Sequence, residues 1–365
     1  MRKIAVIAGD GIGVEVTSAA LTVLKAVLHR HGERFDIEEL DYGAERYLRD
    51  GTTMPAGEIE RFRREVDAVF LGAVGDPRIP DMRHARDILL AMRFELDLYV
   101  NFRPVRCLAN ALCPLKRNTA RDIDFVVFRE NTEGAYVGIG GNFKKGTLDE
   151  VAINEDVNTR KGVERIVRAA FDYAKANGKR RVCMSDKSNA LRFAHDLWQR
   201  VFHEMRAAYP DIEARHLFVD ALAMELVRAP DAFDVIVTNN MFGDIITDLG
   251  AALQGGMGMA ASANINPSEA MRRPTRPNGF GLFEPVHGSA PDIAGKGIAN
   301  PLAAIGTIQL MLEHLGLAGA ARDVGVAMHR VVDAGNLTPD VGGTSRTDEV
   351  RDRVLTALDL GAFTP

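Results

Sequence analysis

The chain is poor in the residues that build disulfide frameworks: it has three cysteines in 365 residues, Cys107, Cys113 and Cys183, widely spaced and with no CxxC pair. Neither a disulfide scaffold nor a zinc ribbon can be made from them, and a reducing cytoplasm fits. No apolar run approaches the ~18 residues of a membrane span. The N-terminal MRKIAVIAGDGIG has only a few apolar residues before a glycine turn, too short for a signal peptide. Basic charge is not in excess; the net charge of −5 argues against a nucleic-acid surface, although clustered arginines could still make local anion sites. Repeats, low-complexity tracts and flexible linkers are missing too, so the two domains that this length allows should interleave.

What is present is ordinary globular material, 46% hydrophobic and 26% charged. The informative stretch is DVIVTNNMFGDIITDLGAALQGGMG, residues 234–258. Residues 234–238 are apolar and β-branched, as in a buried strand, and a helix is expected after the Asn239-Asn240 break. Asp244 and Asp248, four residues apart, stack on one face of that helix, opposite much of the apolar set Ile245, Ile246 and Leu249. Two carboxylates held so close repel unless a cation lies between them. Hard oxygen ligands select Mg²⁺ or Mn²⁺, and one more carboxylate, with waters or substrate, would complete an octahedron. A solvated acidic helix face would read the same way.

Elsewhere, residues 3–8 form an expected buried strand that runs into Gly9-Asp10-Gly11-Ile12-Gly13 and a helix over 14–31. Such a strand, turn and helix can bring backbone N–H groups to an anion. Val14 breaks the dinucleotide pattern GxGxxG, which leaves a cofactor contact and a plain tight turn both open. Arginines recur at the ends or edges of apolar elements: Arg93 in a helix expected over 88–98, Arg103 in a strand over 100–105, and Arg129 after a strand over 125–128. Converging guanidinium forks would hold a di- or tricarboxylate; singly, each would serve as an ion pair. Residues 136–145, glycine-rich, with alternation at 151–153, suggest a two-stranded arm that pairs with a second subunit.

Lys187 follows a strand expected over 181–185 and is a candidate proton donor if desolvated, otherwise a solvated loop lysine. Asp220, at the tip of a strand before a helix over 221–228, could be a third metal ligand or a helix cap. Residues 279–301 are polar, glycine-rich and punctuated by prolines, and are expected to be a binding loop. His287, Gly288 and Ser289 offer an imidazole and free amides there, and Asp292 a carboxylate suited to a ribose diol. Further helices are expected over 159–176, 191–209, 300–315, 322–334 and 345–360.

Taken together, NNMFGDIITDLGAALQGGMG (239–258), GDGIG (9–13), Arg93 and Arg103 in MRFELDLYVNFRP, RENTEGAY (129–136), DKSNAL (186–191) and EPVHGSAPDIAGKGIANP (284–301) resemble the β-decarboxylating dehydrogenases. That family contains isopropylmalate, isocitrate, homoisocitrate, tartrate and D-malate enzymes. The likeness runs from Lys3 to about Leu360. It implies a two-domain α/β fold distinct from the Rossmann type, with mixed sheets flanked by helices. Residues 1–99 with 255–365 would form the cofactor-side domain, and 100–254 an inserted domain with a dimer arm at about 134–156.

The resemblance also implies the roles of side chains. Arg93, Arg103 and Arg129 would grip substrate carboxylates, and Asp220, Asp244 and Asp248 would hold Mg²⁺ or Mn²⁺. Lys187 and Asp220 would arrive from the second subunit of an obligate homodimer. Lys187, neutral and assisted by water, would take the hydroxyl proton as hydride leaves, and Tyr136 would protonate the enol carbon or relay that proton. Ile12, Glu284, His287, Gly288, Ser289, Ala290, Asp292, Ile293 and Asn300 would contact the dinucleotide. The pair Asp292-Ile293 stands where NADP enzymes carry basic or aromatic residues, and a carboxylate there repels a 2′-phosphate, so NAD is expected.

The resemblance further implies that the helix before Arg93 lines the pocket for the substrate's variable side chain; Leu89 and Leu90 there would favour a branched apolar group, because each buried methylene contributes ~0.8 kcal/mol and a carboxylate there would be unpaired. That points to 3-isopropylmalate, oxidised and decarboxylated to 2-oxo-4-methylpentanoate and CO₂ in leucine biosynthesis. Arg86 departs from the glutamate often found in such enzymes, and tartrate or D-malate, then homoisocitrate or isocitrate, remain alternatives. Mg²⁺-dependent phosphoryl transfer would want a P-loop, which is missing. A non-catalytic homologue would have lost the lysine, the tyrosine or a metal aspartate, and all are present.

Overall fold

The computed structural model describes residues 1–359. The expected ends at Leu360 and residue 365 lie outside them. The chain divides into two compact units, one of Met1–Leu98, Arg106–Arg121 and the part from Ala251 onward, the other of Tyr99–Val105 and Asp122–Gly250. Among the described residues the strands are β1 (Arg2–Gly9), β2 (Phe35–Glu39), β3 (Ala68–Ala73), β4 (Val100–Arg106), β5 (Asp124–Glu130), β6 (Gly140–Phe143), β7 (Val151–Asn154), β8 (Arg181–Asp186), β9 (Glu213–Phe218), β10 (Val235–Thr238), β11 (Ala261–Asn266) and β12 (Phe280–Pro285).

In the first unit the strand order is β2-β1-β3-β12-β11. β1 runs parallel to β2 and β3, and β3 to β12, whereas β11 is antiparallel to β12. β3 and β12 are buried at every residue, as expected of strands covered on both faces. Helices Ile12–Arg30, Leu302–His314, Ala318–Asp333 and Thr347–Asp359 pack around them. Ile12–Arg30 is long and apolar enough to cross a membrane by length and composition alone, an exception to the reading that no run approaches that length. Of its most apolar window 61% is buried inside the fold, and its apolar side chains, Val16, Leu24 and Val27 among them, are core.

The second unit orders its strands β4-β5-β10-β8-β9, with β5, β10, β8 and β9 all parallel. Helix Arg160–Ala176 begins where Thr159 accepts a hydrogen bond from the Gly162 N–H, a side-chain cap. Its buried face sets Phe171 against the rings of Phe202 and Tyr209. β6 and β7 pair antiparallel and are exposed throughout, with Phe143 at 65% and Ile153 at 56%.

Three expectations need correction. Residues 279–301 are not one loop. Phe280–Pro285 is a strand buried at every position, because it pairs with β11 on one side and β3 on the other, and only the stretch beyond Pro285 is irregular. Asp220 is not at a strand tip: the strand ends at Phe218 and the helix Val219–Arg228 already contains Asp220 in its first turn. The expected helix over 88–98 starts earlier and is interrupted. It runs Arg83–Ala85, then a π-turn Arg86–Leu90, then Ala91–Glu95, and it ends where Leu96 and Asp97 turn, with Asp97 at φ 50°. π-turns are rare and concentrate at functional sites.

Candidate active site

In the second unit, β10 delivers the chain into helix Asn240–Leu253. Asp244 and Asp248 share a face, but that face is not purely polar. Ile245 is 59% exposed beside them and Met241 37%, whereas Phe242, Ile246 and Thr247 carry the buried side. The helix can lie close to β5 because Gly243 has no side chain: a Cβ there would sit 2.5 Å from Arg129 Cγ. Arg129, 2% exposed, donates from Nη1 to Asp244 Oδ1 at 2.5 Å, and from Nε and Nη2 to Asn240 Oδ1 at 3.0 and 2.7 Å. Arg103 donates to Thr247 Oγ1 at 2.6 Å and lies 3.6 Å from Asp244 Oδ1. Tyr136, on the short turn Ala135–Val137, donates its hydroxyl to Asp244 Oδ2 at 2.8 Å, with the Arg129 guanidinium 5.5 Å from its ring centroid. The structure therefore gathers Arg103, Arg129, Tyr136 and Asp244 into one cluster.

The Asp248 carboxyl is pushed above its ordinary value, first by burial and then by the Asp244 carboxylate, and the two arginines offset only part of that. Two hard-oxygen ligands with a surplus of negative charge fit a divalent cation such as Mg²⁺ or Mn²⁺. Asp220 is not beside them. Among the described residues no group of three or more His, Cys, Asp or Glu side chains is arranged to hold a metal within one chain. Asp220 instead accepts from Lys187 Nζ at 2.8 Å. Lys187 follows β8, and its Nζ lies 6.0 Å from the Phe218 ring centroid.

In the first unit, Arg93 and Glu284 meet, although the sequence placed one with substrate and the other with cofactor. Arg93 Nη2 donates to Glu284 Oε1 at 2.7 Å, and Asn264 Nδ2 donates to the same oxygen at 2.8 Å. Arg93 is 7% exposed, and its Nε is buried with no hydrogen-bond partner. Leu89 packs partly against the hydrophobic core around Ile88 and Met92, and Leu90 is half-buried on the same π-turn. Arg86 opens that turn and is exposed.

The glycine turn and the segment after β12 come together. The Ile12 N–H donates to the Ser289 carbonyl at 2.8 Å, and a Cβ on Gly11 would lie 2.0 Å from that oxygen, so only glycine permits the approach. Ala290 holds φ 37°, uncommon for a residue with a side chain. His287 Nδ1 lies 3.0 Å from the Gly288 carbonyl while its Nε2 is buried without a partner; burial depresses the ring's basicity. Gly288 faces open space, Asp292 is exposed and Ile293 half-buried. An orphaned imidazole nitrogen beside open glycine backbone and an exposed carboxylate fits a dinucleotide with a free ribose diol. Asn300 is committed internally: its Nδ2 donates to Asp340 at 3.1 Å and its Oδ1 accepts from the Leu302 N–H at 3.0 Å.

A family model described as isocitrate/isopropylmalate dehydrogenase matches residues 3–354. The chain belongs to the isocitrate/isopropylmalate dehydrogenase family. It is 49% identical over 326 residues to a 3-isopropylmalate dehydrogenase of Thermobifida fusca, covering 89% of this chain and 90% of that one. It is 47% identical to one of Mycolicibacterium paratuberculosis, covering 98% of this chain and 100% of that one. Among solved structures, isocitrate dehydrogenase from Methylococcus capsulatus superposes with a TM-score of 0.85 at 35% identity, covering 98% of this chain and 99% of the other. The TT0538 protein of Thermus thermophilus superposes with a TM-score of 0.81 at 35% identity, covering 98% of this chain and 68% of that one. The isocitrate/isopropylmalate dehydrogenase family acts on small 2-hydroxy acids and generally uses a nicotinamide dinucleotide with a divalent metal.

Some residues of the site escaped the sequence reading. Thr247, three residues past Asp244, anchors Arg103, and Asn240 anchors Arg129; a helix-period reading of Asp244 and Asp248 could have included both. Asp10 holds the glycine turn by accepting from the Ala44 and Gly75 N–H groups at 2.6 and 2.7 Å, with His84 Nε2 at 2.9 Å. Nothing local in the sequence signals those distant partners.

Proposed function

We propose that this chain catalyses the NAD-dependent oxidative decarboxylation of 3-isopropylmalate, a step of leucine biosynthesis. The observation that carries the substrate is the 49% identity to a 3-isopropylmalate dehydrogenase over nine-tenths of both chains. Leu89 and Leu90 on the π-turn support it, since an isopropyl group gains where a carboxylate would lack a partner. In this reading, the first unit is the cofactor-side domain and the second, Tyr99–Val105 with Asp122–Gly250, the inserted one.

Arg93, Arg103 and Arg129 would take the substrate's carboxylates. Each is nearly buried and preorganised by a neighbour, so little is lost in ordering it. Asp244 and Asp248, with Asp220 of a second copy, would hold Mg²⁺ or Mn²⁺. His287, Gly288, Ser289, Ala290, Asp292 and Ile293, with Ile12, Glu284 and Asn300, would hold the dinucleotide, Asp292 selecting NAD. When bound, the metal lowers the pKa of a chelated hydroxyl and stabilises charge developing on substrate oxygen, while NAD accepts a hydride. Lys187 takes the hydroxyl proton, and Tyr136, hydrogen-bonded to Asp244, returns or relays a proton to the enol carbon.

A homodimer completes the reading. The arm β6–β7 cannot bury its own apolar residues, and Met224, Val227, Met241 and Ile245 leave exposed apolar surface on the two helices that carry Asp220, Asp244 and Asp248. Lys187 and Asp220, already paired, would enter the second copy's site together. A cytoplasmic location belongs to this reading. The test compares kcat/KM for 3-isopropylmalate, D-malate, tartrate, isocitrate and homoisocitrate with NAD and Mg²⁺. 3-Isopropylmalate should lead; a preference of more than ~10-fold for any competitor overturns the substrate assignment.

A further inference from the structure

Lys187 is the first residue beyond β8, a place where a chain ordinarily loosens, yet its main chain is held on every side. Its carbonyl accepts from the N–H groups of Ala190 and Leu191 at 2.9 and 2.8 Å, which closes the turn leading into the next helix. Its own N–H, which no strand neighbour receives, donates to Nδ1 of His195 at 2.8 Å. His195 stands in the first turn of helix Arg192–Arg206 and is completely buried. The residue before the lysine is clamped as well: the Asp186 carboxylate accepts from Gln199 Nε2 at 2.8 Å and from the Ser188 N–H at 3.1 Å, with His216 Nε2 at 2.8 Å.

The chemistry of His195 is settled by its neighbours. A backbone N–H can only donate, so Nδ1 must present a lone pair and the ring is neutral with its proton on Nε2. That proton points toward the Asp156 carboxylate, whose Oδ2 lies 3.6 Å away and whose carboxyl is held below its ordinary value chiefly by His195. Asn239 Nδ2, held in place because its Oδ1 accepts from the Phe242 N–H at 2.9 Å, faces the protonated Nε2 at 3.3 Å as a second donor and forms no bond with it, so the Asp156 carboxylate is what favours this tautomer. The Phe242 ring meets the imidazole edge-on, with centroids 5.5 Å apart, and closes the remaining side. A buried imidazole in one tautomer, spent on one backbone N–H, is costly to maintain if alanine or leucine would pack as well.

We infer that His195 is a positioning residue: by accepting the Lys187 N–H at the end of β8, it fixes the direction in which the lysine side chain leaves the main chain. The inference rests on the proposed role of Lys187 as the proton carrier. With a proton to be moved at hydrogen-bond range, a displacement of about 1 Å at the lysine's Cα costs on the order of 100-fold in turnover, while binding of a cofactor elsewhere is untouched. Asp156 acts one step further out, by keeping the proton on Nε2 so that Nδ1 stays an acceptor.

The experiment uses the full-length enzyme with its preferred 2-hydroxy acid, NAD and Mg²⁺. His195→Leu removes the acceptor and keeps the bulk; kcat should fall 10- to 100-fold, with KM for NAD unchanged. His195→Asn places an amide oxygen where Nδ1 was and should recover kcat to within about 3-fold of the parent. A purely structural role would order the two the other way, since asparagine fills the space worse than leucine. Should the leucine variant not fold, Asp156→Asn, which removes the tautomer-fixing charge, is measured instead and should lower kcat about 5-fold at unchanged KM for NAD. Parental kcat in either His195→Leu or Asp156→Asn, or His195→Asn no better than His195→Leu, overturns the inference. An inactive parent would instead overturn the reading of the enzyme itself, and a Lys187→Ala variant that still turns over would remove the lysine's role.

Discussion

Gly243→Ala is the substitution on which local and tertiary physics disagree most sharply. Gly243 lies inside the helix Asn240–Leu253 with no requirement for a left-handed backbone, so helix propensity favours alanine by ~1 kcal/mol. The new Cβ, however, would lie 2.5 Å from Cγ, 2.6 Å from Cβ and 3.0 Å from Cδ of Arg129. These are stem atoms close to the main chain of β5, which is tied in register to β10 through Arg129 opposite Thr238, so they cannot swing aside as a side-chain tip can. Overpacking of this kind costs ~1–3 kcal/mol. It outweighs the propensity gain, and a fall in Tm of a few degrees is expected, at ~2–4 °C per kcal/mol.

The effect on activity should be larger. Shifting the stem moves the guanidinium off Asp244 and Asn240, where its bonds are 2.5 to 3.0 Å long. Losing one charge-assisted bond is worth ~1.5–3 kcal/mol, or roughly 10- to 150-fold in kcat/KM for the 2-hydroxy acid. KM for NAD should not move. Thermal unfolding followed by circular dichroism, together with steady-state kinetics, reads both. A variant that melts higher than the parent and keeps its kcat/KM would refute the packing argument and the role of Arg129 together.

Two further outcomes are expected from named side chains. Asp292→Ala removes the exposed carboxylate offered to a ribose diol; KM for NAD should rise about 10-fold and the ratio of kcat/KM for NAD over NADP should fall at least as much. An unchanged ratio would show that cofactor choice lies elsewhere. His314, whose Nε2 lies 3.0 Å from the Gly279 carbonyl, is pushed down to about 4 by burial. Its folded value is therefore below that of the unfolded chain, so the neutral ring's contribution is full above about pH 6.5 and is lost as pH falls from there toward 4. Between pH 7 and pH 5 the loss amounts to about 2 kcal/mol, and urea midpoints for His314→Gln should be less acid-sensitive by that amount. Equal acid sensitivity of variant and parent would exclude His314 as a source.

Local chemistry made much of this protein legible. The apolar, β-branched run before Asn239 could only be a buried strand, and the spacing of Asp244 and Asp248 put them on one helical turn, as found. What local pattern misjudged was burial. Ile245 looks like core by type but is 59% exposed, because the helix meets β5 through Gly243 and turns its other face outward. Phe280–Pro285 sits amid glycines and prolines that suggest a loop, yet strand pairing on both sides buries it completely.

By itself, then, the sequence determined which residue types were available and which of them stood at strand ends, since periodicity and turn residues act over a few neighbours. Tertiary structure alone decided their partners. Arg93 meets Glu284, 191 residues away, and Arg129 meets Asp244, 115 away, because the fold sets helix Ala91–Glu95 beside β12 and helix Asn240–Leu253 beside β5. The pair of aspartates that began as a spacing in one helix acquired its meaning there: burial and mutual repulsion raise Asp248, and two arginines with a tyrosine converge on Asp244. No run of residues encodes that convergence, because it is a property of which distant segments the fold packs together.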